Sequence, residues 1–557
     1  MKGKAASSFS YRDIFRGDTV MILVPHEDDE INLAGASICG AVQEGLRAIC
    51  VFVTNGDWEY AGSVRLKEAI AALNEMGVPA EDVIFLGYPD GGMHAERSVF
   101  LQRKNHMTDA AGRKETCGMP GKPEFCMQKH GIHRKCTWEN LLTDIREVVL
   151  EYRPDTVLVT DFDAHPDHRM CSIAFETAMG QILNRPDNEY CPLVLKGFAY
   201  STAYEAPKDF YESHLLSCCM EKEHLRDLED ETDNPVYEWG RRIRFPVPKN
   251  CREPHQMENI LYKALKQHLS QMGAGRAVRI INGDQVFWRR RTDNLAYRGR
   301  TSVSSGDGKY LHDFLMMNTD NISVPCPHMT DYLWTPAEED TEKCCRCSFA
   351  QPCHIESVSL YGNIETDSRI VKGKLIFSTG FSCDTGSLRI RGRETKIDFP
   401  PQDDVKWIEF RILASEGKQA GLSEWEFFEE KNTSEHILKI LADGNFAYAW
   451  KVYEQEPSPQ ISAYTCGSIG PLKWYADGQE TSLEKINEAC RDMKENMIVR
   501  VETETPKKLW DEVAFIRASC LEYWLDMAAR KIDWGKSRIV HKQMKKKNRK
   551  IPRIRGK

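Results

Sequence analysis

The stretch VMILVPHEDDEINLAG, Val20 to Gly35, determines the fold class of the first part of this chain. Five apolar residues and a proline lead directly into an imidazole and four carboxylates, and a helical pattern follows at once. A short apolar run bounded by polar turn residues is typical of a buried strand in a parallel sheet. The stretch therefore predicts a strand, a turn that carries His26 to Glu30, and a helix.

The same alternation of short strands and helical patterns continues to about residue 200 and predicts an α/β domain with a Rossmann-like parallel sheet over residues 19–295. The predicted strands are Thr19–Pro25, Ala48–Thr54, Asp82–Leu86, Thr156–Thr160 and Leu193–Tyr200. The predicted helices are Ile31–Glu44, Ser63–Met76, Thr137–Glu151, Asp167–Leu183 and Asn259–Gln271. The stretch VRIINGDQVFWRRRTDNLA supplies the last elements and closes this domain near Arg291–Leu295.

The rest of the chain has a different pattern, and 557 residues exceed what one hydrophobic core supports. After Tyr297, short alternating segments separated by turn residues predict a β-sandwich over residues 296–430. Residues 431–519 continue in strands with one helical stretch, and an immunoglobulin-like sandwich is the working prediction there. Residues 1–18 are assigned to an N-terminal extension, and residues 520–557 to a C-terminal helix and basic tail.

Composition limits the class and the partners of the protein. Net charge is −8, yet residues 541–557 contain nine Lys or Arg and no acid. This tail is interpreted first as a solvated, frayed end and second as a contact for an anionic surface, and no nucleic acid partner is predicted. No signal-peptide core or membrane-length apolar run is found, and the 19 cysteines are odd in number and scattered. We therefore expect a soluble, cytoplasmic protein with reduced thiols.

Two short motifs carry side chains suited to metal chemistry. His26 and Asp29 follow the first strand, and His165 and His168 stand three residues apart in AHPDH after a later strand. The carboxyl ends of parallel strands share one sheet edge, and catalytic zinc takes three His or carboxylate ligands plus water. The competing interpretation is that the acids after the strand only cap the helix and complement its dipole.

The roles within this predicted zinc site follow from the same residues. His26, Asp29 and one histidine of AHPDH are the predicted ligands, and we favour His168. His165 then stands beside the metal, where charge develops on a substrate. Asp28 is the predicted general base, because a carboxylate that does not ligate must accept the proton of the attacking water.

PHEDDE and AHPDH together resemble the motifs of the LmbE/PIG-L family of zinc-dependent de-N-acetylases. The resemblance includes TNGD (Thr54–Asp57), RLKEA (Arg65–Ala69) and GYPDGG (Gly87–Gly92). It implies a Rossmann-like fold, metal ligation by His26, Asp29 and His168, Asp28 as base, and His165 as oxyanion or amine partner. It also implies that Arg65 and Asp90 contact sugar hydroxyls. Without the family resemblance, Arg65 would be interpreted as a surface arginine and Asp90 as a turn aspartate.

Two departures from the family pattern stand out. Glu27 replaces the usual proline and is expected to point outward, without an assigned role. Asp163 and Ala164 precede His165 where some members carry a tyrosine that assists catalysis, so oxyanion stabilisation is expected to be divided differently here.

The second part of the chain also resembles a known module. SSGDGKYLHDF, YLWTP and above all GLSEWE (Gly421–Glu426) resemble the discoidin, or F5/8 type C, sandwich, which often binds glycans. Two further groups could bind metal, but a loop whose spacing fits no familiar zinc finger and a cluster of reduced thiols are the favoured interpretations. They are Cys117, Cys126, His130, His133 and Cys136 in the long loop His94–Cys136, and Cys344, Cys345, Cys347 and Cys353.

These observations predict a zinc-dependent amidohydrolase that removes an N-acetyl group from an N-acetylglucosamine-type sugar on a glycan, glycolipid or glycoside. The accessory sandwich would hold the larger substrate. The alternatives are a metal-dependent phosphoesterase, disfavoured because no second ligand set is evident, and a catalytically inactive glycan-binding protein. The sugar, its aglycone and the oligomeric state are not encoded in any motif of the sequence.

Overall fold

The computed structural model describes most of the chain. Its described ranges are 6–93, 97–98, 107–161, 165–199, 215–218, 241–253, 255–316, 332–364, 367–390, 392–431 and 435–554. Part of the predicted loop His94–Cys136 lies outside these ranges, and so do Asp163 and Ala164.

A seven-stranded sheet forms the centre of the first domain. Strand β1 (Ala6–Ser7) is not part of it and joins a later sheet. The strand order is β4-β3-β2-β5-β6-β8-β7. The strands through β6 run parallel, and β8 and β7 are antiparallel additions at one edge. In chain order they are β2 (Thr19–Val24), β3 (Arg47–Thr54), β4 (Val83–Tyr88), β5 (Thr156–Thr160), β6 (Leu193–Gly197), β7 (Ile243–Pro246) and β8 (Asp284–Arg290).

Helices cover both faces of this sheet, and each face has its own apolar core. Val20, Ile22 and Val24 of β2 pack on one side, and Met21 and Leu23 pack on the other, as expected for a parallel strand buried on both faces. The helices are α1 (Tyr11–Ile14), α2 (Asp29–Gln43), α3 (Gly62–Glu75), α4 (Phe125–His130), α5 (Trp138–Tyr152), α6 (Pro166–Leu183), α7 (Ile260–Gln267) and α8 (Ala277–Ile280).

The predicted parallel α/β sheet is confirmed, with two differences. Strand β6 ends at Gly197, while its predicted end, Tyr200, lies outside the described residues. The antiparallel edge strands extend the sheet beyond the predicted parallel part, and β7 was not predicted because four residues carry little periodic signal. Strand β2 pairs with β3 on one side and β5 on the other, so the sheet's topological switch point lies at their carboxyl ends.

Residues 299–428 form two facing antiparallel sheets, as predicted for this region. One has the order β13-β12-β15-β10-β9 and the other β14-β11-β16. Trp334, Trp425 and Phe410 are fully buried between them. The strands are β9 (Gly299–Val303), β10 (Cys344–Ile355), β11 (Ser357–Tyr361), β12 (Arg369–Phe377), β13 (Ser382–Gly386), β14 (Glu394–Ile397), β15 (Gln402–Glu416) and β16 (Glu424–Phe428).

The following region contains two more sheets, a larger one built around β23 and β24 and a smaller one with the order β18-β17-β20. Strand β1 pairs with β24, so the N-terminal residues Ala6–Ser7 belong to this unit. The immunoglobulin-like assignment stays a prediction. The elements are β17 (Ile437–Ala442), β18 (Asn445–Phe446), β19 (Ala449–Tyr453), β20 (Ile461–Cys466), β21 (Lys473–Ala476), β22 (Gln479–Thr481), α9 (Leu483–Arg491), β23 (Met497–Thr503) and β24 (Leu509–Ala518).

The chain ends in a long helix, α10 (Cys520–Asn548), which returns to the first domain. A capping box between Ser519 and Glu522 starts it, and Met544 is buried in the core of the first domain. Beyond the helix, the Ile554 N–H donates to a backbone carbonyl in the first domain. The interpretation of the tail as a frayed end is therefore wrong, because the helix has a packed partner.

In the described part of the chain, no helix is both long enough and apolar enough to cross a bilayer. The cytoplasmic location stays a prediction. The cysteines that the structure describes are all free thiols, about half of them buried.

Candidate active site

Two loops bring the predicted site residues to the carboxyl edge of the sheet. His26 lies two residues beyond the end of β2, and helix α2 begins at Asp29. His165 follows the neighbouring strand β5 in the chain and is the N-cap residue of α6. Its Nδ1 accepts the Asp167 backbone N–H at 3.2 Å. Pro166 occupies the first helical turn, where a missing N–H costs nothing.

The three predicted ligands meet at one carboxylate oxygen. Asp29 Oδ2 lies 3.1 Å from His26 Nδ1 and 3.1 Å from His168 Nε2. Ligand atoms about 2.0–2.1 Å from a tetrahedral zinc lie roughly 3.3 Å apart, which is close to these two separations. The histidine group whose ligand atoms all lie within 4.8 Å of one another, however, is His26, His165 and His168, without Asp29. Burial opposes ionisation of Asp29, but His168 and His26 together hold the pKa of this carboxyl well below its usual value. The donor set is thus buried, anionic at Asp29, and suited to a divalent cation.

His165 stands directly beside this group. Its ring stacks on His168 at a centroid distance of 4.8 Å and meets His26 edge-on at 4.7 Å. Burial, with the charges of His26 and His168, lowers the pKa of His165 to about 2. Because Nδ1 accepts from the Asp167 backbone, the neutral ring carries its proton on Nε2 and can donate from there.

Asp28 adopts an unusual backbone conformation with φ 124° and ψ −22°. Non-glycine residues in this region cost of order 1–3 kcal/mol, and such strain is concentrated at functional sites. The carboxylate is buried, with Arg276 Nη1 2.5 Å from Oδ2 and Arg65 Nη2 3.5 Å from Oδ1. Two guanidinium groups therefore fix the orientation of the predicted base.

Arg65 and Asp90 are in contact with each other. Arg65 Nη1 lies 3.1 Å from Asp90 Oδ2, and Nη2 donates to the Glu27 carbonyl at 2.8 Å. Burial favours the neutral acid, but His26 and Arg65 outweigh it and hold the pKa of Asp90 below its usual value. Each residue is only 6% exposed, and their contact with substrate hydroxyls stays a prediction.

The expectation that Glu27 points outward is wrong. Its side chain is fully buried, with Oε2 3.5 Å from Arg65 Nε. Gly56 has a φ of 61°, and a Cβ there would stand 2.2 Å from Glu27 Oε2. Burial raises the pKa of Glu27 to about 8, although Arg65 opposes the shift. The sequence could not show this, because the room for Glu27 depends on the glycine of the TNGD turn.

Sequence reasoning missed two residues of this centre. Asp167, inside the AHPDH motif, lies 3.2 Å from His26 Nε2 and accepts the Gly91 N–H at 2.8 Å. Its position between the two histidines was a usable signal. Arg276 had none, because it reaches Asp28 from a 3₁₀ turn, Gly273–Arg276, far along the chain.

Glu30 braces the start of α2. Its Oε2 accepts the Asp28 N–H at 2.7 Å, and its Oε1 lies 2.8 Å from His268 Nε2. The capping interpretation of the acid cluster thus applies to Glu30, while Asp29 faces the histidines.

The weaker metal candidates find other partners. His133 pairs with Glu124 at 2.5 Å, and His130 pairs with Glu147 at 2.6 Å. Within the described ranges, the groups that could hold an ion all include His26. Of the cysteines of strand β10, Cys345 and Cys347 are buried and Cys344 and Cys353 are partly exposed, and none joins such a group.

Two family models match parts of this chain. Residues 21–179 match the family model for PIG-L, GlcNAc-PI de-N-acetylase. This range contains every residue that the motifs assign to the site. Residues 294–428 match the model of a domain of unknown function, DUF7402, so the discoidin resemblance of this region stays a prediction. No curated protein matches the chain.

Three solved structures show partial likeness. The N,N'-diacetylchitobiose deacetylase from Pyrococcus horikoshii is 17% identical over 34% of this chain and 62% of its own, with a TM-score of 0.23. Dbv21, the A40926 pseudoaglycone deacetylase, is 15% identical over 49% and 96%, with a TM-score of 0.25. The lectin domain of lectinolysin, solved with Lewis B antigen, is 14% identical over 25% and 98%, with a TM-score of 0.19.

Proposed function

We propose that this protein is a zinc-dependent amidohydrolase that removes the N-acetyl group from an N-acetylglucosamine-type sugar on a glycan, glycolipid or glycoside. The observation that carries the proposal is the convergence of His26 and His168 on one oxygen of Asp29, beside a strained and buried Asp28. The match of residues 21–179 to a de-N-acetylase family supports the same chemistry.

His26, Asp29 and His168 would hold the zinc. When bound, the ion would acidify a water ligand and polarise the amide carbonyl. Asp28 accepts the proton of the attacking water, and Arg276 and Arg65 keep its carboxylate in place. His165 Nε2–H donates to the oxygen on which negative charge develops. Cleavage of the C–N bond then releases acetate and the protonated amine.

The direct test is release of acetate from a panel of N-acetylated glycans, glycolipids and glycosides. We expect release that EDTA abolishes and zinc restores, and loss of activity in Asp28→Asn with metal content retained. Full activity in Asp28→Asn would overturn the assignment of the base. Binding of zinc and sugar with no turnover on any substrate would favour the inactive glycan-binding alternative.

One observation favours the alternative function, a metal-dependent phosphoesterase. Two groups of side chains have ligand atoms close enough together to hold an ion, His26 with His165 and His168, and His26 with Asp90 and Asp167, so the expectation that no second ligand set exists is wrong. Both groups share His26, and two-metal hydrolases need two ions roughly 3.5–4 Å apart. One tightly bound zinc per chain supports the amidohydrolase, and two with hydrolysis of phosphate esters would replace it.

Binding of larger substrates is assigned to the accessory sandwich in this proposal, and contact with an anionic surface to the basic tail. Several Lys and Arg side chains of helix α10 and of the residues after it are exposed, although the helix itself packs against the first domain. These exposed side chains are the ones that would make such a contact.

A further inference from the structure

A cleft of about 270 Å³ lies where the first domain meets the two β-rich units. One wall comes from strand β8 and the residues after it, the second from strands β11, β14 and β16, and Cys466 of strand β20 closes the rim. Six of its lining residues are cationic and two are acidic. The cations are Arg241, Arg289, Arg290, Arg291, Lys396 and Lys431, and the acids are Glu394 and Glu426.

Ion pairs account for four of the six cations. Arg241 pairs with Glu394, Arg289 with Glu435, Arg290 with Glu426, and Arg291 with Asp293. Lys396 and Lys431 are exposed, and neither ammonium group has an ion pair with any residue in the described ranges. Two ammonium groups without an ion pair in the described part of the chain therefore lie at the mouth of the cleft, with that of Lys396 in electrostatic reach of Glu394.

To the floor of the cleft, Arg290 brings N–H groups without an acceptor among the described residues. It is 3% exposed, and its Nε and Nη2 have no hydrogen-bond acceptor in the described part of the molecule. Glu426, its single ion-pair partner there, also accepts the Tyr361 hydroxyl at 2.8 Å. Glu424 also lies within electrostatic reach of Arg290, so what the floor offers an anion is these two N–H groups rather than a net positive charge.

The remaining lining is suited to a small polar ring. Trp288, Met316 and Phe428 supply apolar surface, and Ser357 and Ser359 of β11 supply hydroxyl groups. Apolar walls with a few polar groups are characteristic of ligand sites, and the volume is slightly below their usual range of roughly 300–1,000 Å³. The cleft is too small for an extended chain.

The cleft is remote from the catalytic edge. Arg290 pairs with Val194 near the start of β6, whereas the catalytic residues lie beyond the ends of β2 and β5. Three strand spacings of about 4.8 Å and three residues of about 3.3 Å separate the two places, or on the order of 15–20 Å. The cleft therefore does not share the residues of the proposed zinc site.

We propose that this cleft binds a tetrahedral oxyanion, the phosphate or sulfate ester of a single sugar-sized molecule. Guanidinium and ammonium groups are the side chains that recognise such oxyanions, and the arginines here are already held in place by their acidic partners. The sugar ring lies against the side chains of Trp288 and Met316, because the Phe428 ring is covered by the Arg291 guanidinium, 3.6 Å from the ring centroid. This inference does not depend on the proposed catalytic activity.

The test uses the full-length protein and isothermal titration calorimetry at constant ionic strength. The probes are glucose 6-phosphate, glucose 6-sulfate, inorganic phosphate and neutral glucose. We expect the charged probes to bind and glucose not to bind, and the tighter of the two esters identifies the natural group. The double variant Lys396→Glu, Lys431→Glu should weaken the ester's affinity at least tenfold.

The matched control is Lys406→Glu, Lys418→Glu, two exposed lysines of the same sandwich that do not line the cleft. It makes the same change in net charge and should bind like the unmodified protein. Both double variants should keep the unmodified melting temperature and the unmodified acetate release. No binding of either ester at 10 mM, or equal weakening in the two double variants, would overturn the proposal.

Discussion

Arg276 and Asp28 are 248 residues apart in the chain, yet the guanidinium Nη1 lies 2.5 Å from the carboxylate Oδ2. The 3₁₀ turn that carries Arg276 packs against helix α10, where a Cβ on Gly275 would stand 2.7 Å from the ring of His541. The C-terminal helix therefore supports the turn that orients the predicted base. Residues from the beginning, middle and end of the chain together set the position of one carboxylate.

Arg276→Ala should lower kcat for acetate release about tenfold or more, because Asp28 loses its closest charged partner and with it a fixed orientation. Arg276→Lys should restore part of the loss, and the pH–rate profile should shift in both variants. Lys263→Ala, at an exposed position on neighbouring helix α7, is the control and should leave kcat unchanged. An unchanged kcat in Arg276→Ala would show that this ion pair has no catalytic role.

His168→Gln should abolish stoichiometric zinc binding, because it removes one of three ligands from a buried site. Metal content after dialysis, measured by mass spectrometry, is the readout. His133→Gln is the matched control, since His133 is half-exposed and paired with Glu124 outside the site. Equal metal content in His168→Gln and the unmodified protein would remove His168 from the ligand set.

Gly56→Ala should destabilise the first domain more than Gly131→Ala does. Both glycines have positive φ, 61° and 70°, but a Cβ at Gly56 meets Glu27 Oε2 at 2.2 Å while Gly131 has nothing within 4 Å. The shared conformational cost is about 1–2 kcal/mol, and the clash adds about 1–3 kcal/mol. Chemical denaturation of both variants gives the difference. Equal losses would mean that Glu27 moves aside without cost.

Asp57→Asn should remove a pH-dependent loss of stability. Burial, with the neighbouring charge of Asp109, raises the pKa of Asp57 to about 8. Between the unfolded-state pKa near 4 and this value the folded state binds the extra proton, so the free energy of unfolding falls as pH rises. The free energy of unfolding of Asp57→Asn, relative to that of the unmodified protein, should therefore rise by at least about 1 kcal/mol from pH 5 to pH 8.5. Melting temperatures at the two values test this, and parallel curves would contradict the buried-proton assignment.

Asn548→Ala should loosen the docking of the C-terminal helix. The Asn548 amide donates to the carbonyls of Leu269 and Ser270, and its oxygen accepts the Tyr60 hydroxyl at 3.0 Å. Leaving these buried groups unpaired costs about 1–3 kcal/mol. Lys546→Ala, an exposed position on the same turn, is the control. Hydrogen exchange along α10 should increase only in Asn548→Ala, and unchanged protection would show that other contacts hold the helix.

The order of strands and helices in the first domain could be predicted closely. The predicted and observed limits of β2, β3 and β5 agree within one residue, since parallel strands buried on both faces appear as continuous apolar runs. The register that places β7 and β8 antiparallel at the sheet edge depends on long-range pairing, which no local pattern shows.

The sequence alone determined which residues of the motifs could form the centre. The spacing of His26 and Asp29 after one strand, and of His165 and His168 before a helix, follows from local geometry, because parallel strands end at one edge. Local sequence rules were therefore enough to predict that one group forms at the sheet edge, made of His26, Asp29, His165 and His168. Their resemblance to a known family supplied the chemistry.

Only the tertiary structure decided which charges surround that group. Glu27 is buried because Gly56 leaves space and Arg65 supplies opposite charge, and Asp28 is oriented by Arg276 from a distant turn. The energy of a buried charge depends on every group within a few ångströms, whatever its distance along the chain. For the same reason the docked C-terminal helix and the cationic cleft between units became visible only when separate segments met in space.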